Sequence, residues 1–97
     1  MAQALALCAE LTAAGATAVP VQADLLDAAA IEPLAADVEH RLGPIDILVN
    51  NFGPYVDTPF LDLTLTDFDL VLAGNVRASF LLAQSVGRRM RARGAGI

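Results

Sequence analysis

What the chain lacks narrows it first. It has one cysteine and one histidine. Cys8 can form no internal disulfide, and with no second thiol or histidine at metal-ligand spacing it marks no metal site. A reducing compartment and a role as a small buried hydrophobe are expected for it. Positive charge is scarce: there is no lysine, six arginines face eleven acids, and the net charge is −5. Affinity for a nucleic-acid backbone rests on basic surface, so the charge argues against a nucleic-acid partner. No run approaches the roughly 18 to 20 uninterrupted apolar residues of a spanning helix, because Glu10, Asp24, Glu32, Arg41 and Asp69 interrupt. The apolar start MAQALALCAE has no basic residue ahead of it, unlike a signal peptide. The expectation is a cytoplasmic chain without a membrane partner.

What is present wants a core. A hydrophobic fraction of 56% with 18% charged residues is globular in character. At 97 residues the chain suits one small domain, which would bury about 60 to 65% of its unfolded surface. Charge is unevenly placed: the acids all lie between Glu10 and Asp69, and four arginines cluster in Arg88-Arg89-Met90-Arg91-Ala92-Arg93. Cations on the last turns of a helix complement its dipole, a simpler account of that cluster than a phosphate or membrane patch.

Ala4 to Ala14 predicts a helix, with Gly15 placed for a left-handed cap. Thr17 to Gln22 has β-branched residues, but Pro20 gives no N–H to a ladder, which puts this strand at an edge or near a strand end. Asp27 can cap a second helix whose apolar residues Ile31, Leu34, Val38 and Leu42 keep helical spacing. Pro33 then requires either a kink or a start nearer Ile31. Ile45 to Val49, broken only by Asp46, has the composition of a strand covered on both faces. After a Gly/Pro-rich loop, Thr64 and Asp67 resemble a capping box at the start of a long helix, Leu65 to Arg93, with Gly94 as terminator. Its predicted inward stripe is Phe68, Val71, Leu72, Asn75, Ser79, Leu82, Val86 and Met90. Gly96-Ile97 opens a further strand. There is no internal repeat, and the alternation of helix and strand predicts an α/β fold with parallel strands, whose ligands bind beyond the strands' carboxyl ends.

Two turns therefore become candidates. Asp24-Leu25 follows the first strand, where Asp24 is either a turn-forming carboxylate or an acceptor for a ligand's amino group. Asn50-Asn51-Phe52-Gly53 follows the second; by itself it is a turn signal whose glycine lets a ligand approach the backbone. Asn75 places an amide within an apolar stripe. An unpartnered buried amide costs about 1 to 3 kcal/mol, so Asn75 either makes a structural hydrogen bond or organises solvent at a catalytic site.

Taken in order, Asp24-Leu25, Asp46-Ile47-Leu48-Val49-Asn50-Asn51-Phe52-Gly53 and Leu72-Ala73-Gly74-Asn75-Val76-Arg77 resemble the middle of the short-chain dehydrogenase/reductase family, over nearly the whole chain. The resemblance implies an incomplete Rossmann-type doubly wound parallel sheet, in the order helix, strand, helix, strand, long helix. It implies NAD or NADP as cofactor and a small alcohol or carbonyl substrate. Asp24 with Leu25 would contact the adenine, and Asn50, Asn51, Phe52 and Gly53 would brace the sheet and lie along the cofactor. Asn75 would be the catalytic-site asparagine, kinking its helix and holding a water in the proton relay. Phe52 replaces the family's usual alanine, so its ring should crowd either the cofactor's ribose or the adjacent helix. The family's long helix implies a homo-oligomer through residues 65–93.

The family's Gly-rich turn, its serine and its Tyr-x-x-x-Lys have no match here, and Tyr55 stands in a Pro-flanked loop. In the family's sheet order the two strands present here are not neighbours. The expectation is thus a partial dinucleotide-binding domain over 1–97, truncated at both ends, with Met1 an internal methionine or mis-set start. Such a fragment would be inactive in isolation. The alternative is a non-catalytic α/β remnant or interaction module that packs through its long helix, for which apolar surface at Val76, Phe80, Leu81 and Ala83 would be the sign.

Overall fold

Alanine and leucine lose little side-chain freedom in a helix, and they dominate the first element. In the computed structural model, which describes all of residues 1–97, this is α1, Ala2–Ala13. Gly15, at φ 94°, closes it: the Gly15 N–H donates to the Thr12 carbonyl and the Ala16 N–H to the Leu11 carbonyl, each at 3.0 Å. No residue of α1 is buried, so Cys8, expected inside, is only half-buried.

Asp27 does cap, but it caps a 3₁₀ turn rather than the α-helix. Its carboxylate accepts the Ala29 N–H at 3.0 Å and starts Ala28–Ala30, which runs directly into α2, Ile31–Leu42. The later start accommodates Pro33 without a kink, because in the first turn its missing N–H has no helical acceptor to lose.

Thr64 accepts the Asp67 N–H at 3.1 Å and starts α3, Leu65–Leu72. A π-helical segment, Ala73–Arg77, follows, and α4, Ala78–Arg93, continues to Gly94 in the left-handed region. The helix is continuous over Leu65–Arg93, as expected, but the predicted stripe is not. A π turn holds an extra residue, and one residue is about 100° of rotation, so α4 is out of phase with a straight continuation of α3. Phe68, Leu72 and Asn75 are exposed, Val86 is the one stripe member that is buried, and Ala78 and Ser85 take the remaining buried places on α4.

Averaged over its most apolar 18 residues, this long helix has a mean hydropathy of 1.2, enough by length and composition to cross a membrane. Counting only uninterrupted apolar residues overlooked this. Here the helix lies along α2, with Ile31, Ala35, Ala78 and Val86 buried between them.

The two expected strands are not formed. Residues 17–22 and 45–49 have no regular pairing and both line one apolar slot of about 360 Å³, with Val19 and Val21 from the first and Ile45, Ile47 and Leu48 from the second. A strand is not a local structure: its N–H and C=O groups need a neighbour, and these segments do not supply one another. One pairing does occur. The Ile97 N–H donates to the Asp46 carbonyl at 2.8 Å and the Leu48 N–H to the Ile97 carbonyl at 3.0 Å, the slanted pattern that sets Ile97 parallel beside Ile47.

Polar groups reinforce the helix pair. Glu32 on α2 accepts hydrogen bonds from Ser85 and Arg89 on α4, and Arg89 also donates to Glu39 at 2.9 Å. Arg93 reaches the Ile45 carbonyl at 2.7 Å and the Asp46 carboxylate at 3.2 Å. Half of the arginine cluster is thus cross-linking rather than only complementing the helix dipole. The Ser85 hydroxyl, then the Arg89 guanidinium, hold the Glu32 carboxyl below its ordinary range, while Glu39 and Glu32 raise Arg89.

A carboxylate whose pKa is depressed by folding contributes stability that is fully present above its unfolded pKa and lost as pH falls through the lower, folded value. We therefore expect the α2–α4 pair to loosen in acid, with Glu32→Gln less stable than the parent at neutral pH and indistinguishable from it once Glu32 is protonated in both states. Thermal melts followed by circular dichroism across pH check this; equal destabilisation at all pH values would contradict it.

Candidate functional site

The π segment is the centre of the site. The Ala78 N–H donates to the Ala73 carbonyl, five residues back rather than four, and the wider turn presents Gly74 and Asn75 to the Phe52-Gly53-Pro54 turn. The Asn75 amide donates twice, to the Pro54 carbonyl at 2.9 Å and the Val71 carbonyl at 3.0 Å. Both of its hydrogens are thereby engaged in structural hydrogen bonds, and its Oδ1 has none.

Two glycines make the approach possible. A Cβ on Gly53 would stand 2.1 Å from Asn75 Oδ1, and one on Gly74 would stand 2.1 Å from Pro54 Cδ. Neither position admits a side chain without displacement of its neighbour. The Phe52 ring settles on the helix side, with Cε1 3.4 Å from the place of a Gly74 Cβ. Of the two neighbours it could crowd, it meets the adjacent helix, and it stays 44% exposed.

The other turn is built by its own aspartate. Asp24 Oδ1 accepts the Leu26 N–H at 2.9 Å and the Asp24 carbonyl accepts the Asp27 N–H at 3.2 Å, so Asp24 is a turn-forming residue whose side chain remains exposed. Leu25 is half-buried against the apolar slot. Arg77, the last residue of the π segment, donates to the Leu26 carbonyl at 2.7 Å. In the sequence Arg77 carries one signal, a guanidinium two residues beyond Asn75 in an otherwise apolar stretch.

The structure thus gathers Phe52, Gly53 and Asn75 directly, and joins Asp24 and Leu25 to the same π segment through Arg77. It does not recruit Asn50 and Asn51. Both are exposed and neither makes a side-chain hydrogen bond, because the sheet they would brace is not formed. Tyr55 is 83% exposed in its loop. No group of three or more His, Cys, Asp or Glu side chains is placed to hold a metal ion. Chemically, the arrangement offers an exposed carboxylate, a side-chain-free stretch of backbone at Gly53 and an amide with its acceptor oxygen uncommitted.

Residues 1–97 match the family model described as short chain dehydrogenase. The D-threitol dehydrogenase of Mycolicibacterium smegmatis is 42% identical over 73 residues, which cover 75% of this chain and 28% of that protein. The L-rhamnose 1-dehydrogenase (NAD(P)(+)) of Azotobacter vinelandii is 35% identical over 95 residues, 98% of this chain and 37% of that protein. Among solved structures, a mutant Serratia marcescens short-chain dehydrogenase/reductase superposes with a TM-score of 0.84 at 36% identity, covering 89% of this chain and 35% of that one. A short-chain dehydrogenase from Burkholderia cenocepacia in complex with NADP gives 0.81 at 38% identity, covering 87% and 34%. The chain therefore spans about a third of the length of the relatives it matches. These neighbours imply a Rossmann-like α/β fold, whose sheet this chain does not itself form. On sequence and on backbone path alike, residues 1–97 belong to the short-chain dehydrogenase family.

Proposed function

We propose that residues 1–97 are the central, cofactor-side part of an NAD(P)-dependent oxidoreductase that moves hydride between nicotinamide and the alcohol or carbonyl carbon of a small molecule. One observation carries this: a single π segment ties both candidate turns, Asn75 holding Pro54 and Arg77 holding Leu26. The turn that would meet the adenosine of a dinucleotide and the turn that would lie along its middle are thereby held in one frame. The relatives' dehydrogenase names and the NADP-bound neighbour support the same assignment.

The residues fit such a ligand. Asp24 commits Oδ1 to the Leu26 N–H, which aims a carboxylate whose other oxygen can accept from an adenine amino group. Leu25 adds an apolar flank, and the bare backbone of Gly53 lets a flat group come close. Asn50, Asn51 and Phe52 continue that surface. When bound, NAD or NADP supplies the hydride chemistry. With both Nδ2 hydrogens engaged, Asn75 keeps only Oδ1 to accept from a water, so it organises a proton path and is not itself an acid or base. Proton donation falls to groups outside this set: Tyr55 is exposed in its loop and the chain has no lysine to pair with it. The isolated chain is accordingly inactive.

The long helix offers an assembly face. Val76 and Phe80, 60% and 59% exposed, line a groove of about 730 Å³ with Leu26, Leu70 and Arg77. Ala83 is exposed as well, and Leu81 is half-buried. This favours a homo-oligomer through residues 65–93; the excess of acidic over basic residues is the separate ground for proposing a cytoplasmic enzyme without a nucleic-acid partner. An interaction module without catalysis would use the same face but would leave the π segment's two tethers without a purpose.

The complete gene product should bind NADH or NADPH, seen as a change in nicotinamide fluorescence, and should oxidise small polyols or other alcohols; absence of both would reject the assignment. Residues 1–97 alone should show no turnover. Asn75→Ala should lower kcat/KM on the order of a hundredfold, the scale of a misplacement near 1 Å in a catalytic frame. Gly53→Ala should push Asn75 off Pro54 and cost a similar factor. Because the two changes break one contact, their effects should not add, and additivity in the double variant would show that Gly53 acts elsewhere.

A further inference from the structure

Arg77 stands among Val76, Ala78 and Phe80, and an exposed arginine there has water available along most of its length. It nevertheless closes on one carbonyl, that of Leu26, 51 residues away in sequence, at 2.7 Å, the short distance of a charge-assisted bond. That residue matters. The Leu26 N–H is taken by the Asp24 carboxylate and the Leu26 carbonyl is taken by Arg77, so Leu26 links the guanidinium to the direction in which the Asp24 carboxylate points. The Asp27 N–H on the Asp24 carbonyl completes the turn.

Residues two apart on a helix do not face the same way, and the π segment uses this. Asn75 reaches one turn and Arg77 reaches the other, so the helix body itself is the spacer between them. We propose that Arg77 is a positioning residue: by gripping the Leu26 carbonyl it holds the Asp24-Leu25 turn at a set separation from Gly53 and Asn75, and so aligns the adenosine end of a dinucleotide. This rests on the cofactor reading above, which uses the Arg77 bond to relate the two turns but assigns it no part in how tightly the adenosine end is held. Guanidinium geometry suits the task, since one planar fork is less free to wander than an ammonium on a flexible stem.

The test uses the complete gene product with Arg77→Ala and Arg77→Lys, and two ligands: NADPH, and reduced nicotinamide mononucleotide, which has no adenosine. Arg77→Ala should weaken NADPH about tenfold, the scale of one hydrogen bond to a charged group, leave the mononucleotide unchanged and retain kcat at saturating cofactor. Arg77→Lys should recover part of the loss. Hydrogen exchange should quicken at the Leu26 and Asp27 amides while the α4 amides keep their protection. Equal weakening of both ligands, or faster exchange spread over the whole helix, would reduce Arg77 to a general stabilising residue and overturn the proposal. If the parent protein binds neither ligand, the cofactor reading fails and the adenosine role falls with it; unchanged exchange at Leu26 in Arg77→Ala would show separately that the grip itself does not hold the turn.

Discussion

The extra residue within Ala73–Arg77 is the constraint on which the remainder depends. It widens one turn of an otherwise regular helix, so that Asn75 can donate to the Val71 carbonyl behind it and to the Pro54 carbonyl across from it. The opposing turn must then come within contact of the helix backbone, which is why glycine occupies both Gly53 and Gly74. π segments occur frequently at functional sites, and here the irregularity has a definite use: it frees two polar side chains, Asn75 and Arg77, to hold two separate loops from a single helix.

The Asp24 turn is consequently tethered twice. Arg77 grips it directly through Leu26. Indirectly, the turn runs through Asp27 and the Ala28–Ala30 segment into α2, and α2 is fastened to α4 by Glu32, Ser85, Arg89 and Glu39. The two tethers differ in character. The α2–α4 fastening combines buried aliphatic contact at Ile31, Ala35, Ala78 and Val86 with charged bonds that acid weakens, whereas the Arg77 bond ends on a backbone carbonyl and involves no carboxylate. Loss of one tether therefore leaves the other in place.

Local signals in the sequence were legible and distant ones were not. Gly15, Gly94, Thr64 and Asp27 announce chain reversals and caps because the groups they satisfy lie within a few residues. Pro33 likewise constrained the start of α2 to one of two places. Asn75 was visible as an amide within an apolar stripe, but the π turn that surrounds it was not, since one inserted residue leaves composition and hydropathy unchanged while rotating everything after it. The predicted stripe accordingly splits at this turn: Phe68, Leu72 and Asn75 are exposed, and Val86 beyond it is buried. Residues 17–22 and 45–49 have strand composition and yet form no sheet, because pairing is decided by what lies alongside and not by the segment itself. The contact that Arg77 makes is hidden for the same reason: a guanidinium in an apolar stretch marks the residue, but its partner is a main-chain carbonyl 51 residues away.

The surface shows how far these residues are from closing a core. The chain exposes 6966 Å², roughly 1,700 Å² more than the about 5,300 Å² expected for a globular protein of its mass, and its radius of gyration is 15.9 Å against about 13 Å for a compact chain near this length. An excess of that size is comparable to a whole standard protein interface. It is also apolar in places that differ in what they demand. The slot between Val19-Val21 and Ile45-Leu48 is bordered by chain whose backbone groups call for main-chain partners, while the groove at Val76 and Phe80 on a finished helix calls only for side chains. The relatives, of which this chain spans about a third, have the additional length to answer the first demand, whereas the second survives completion of any sheet.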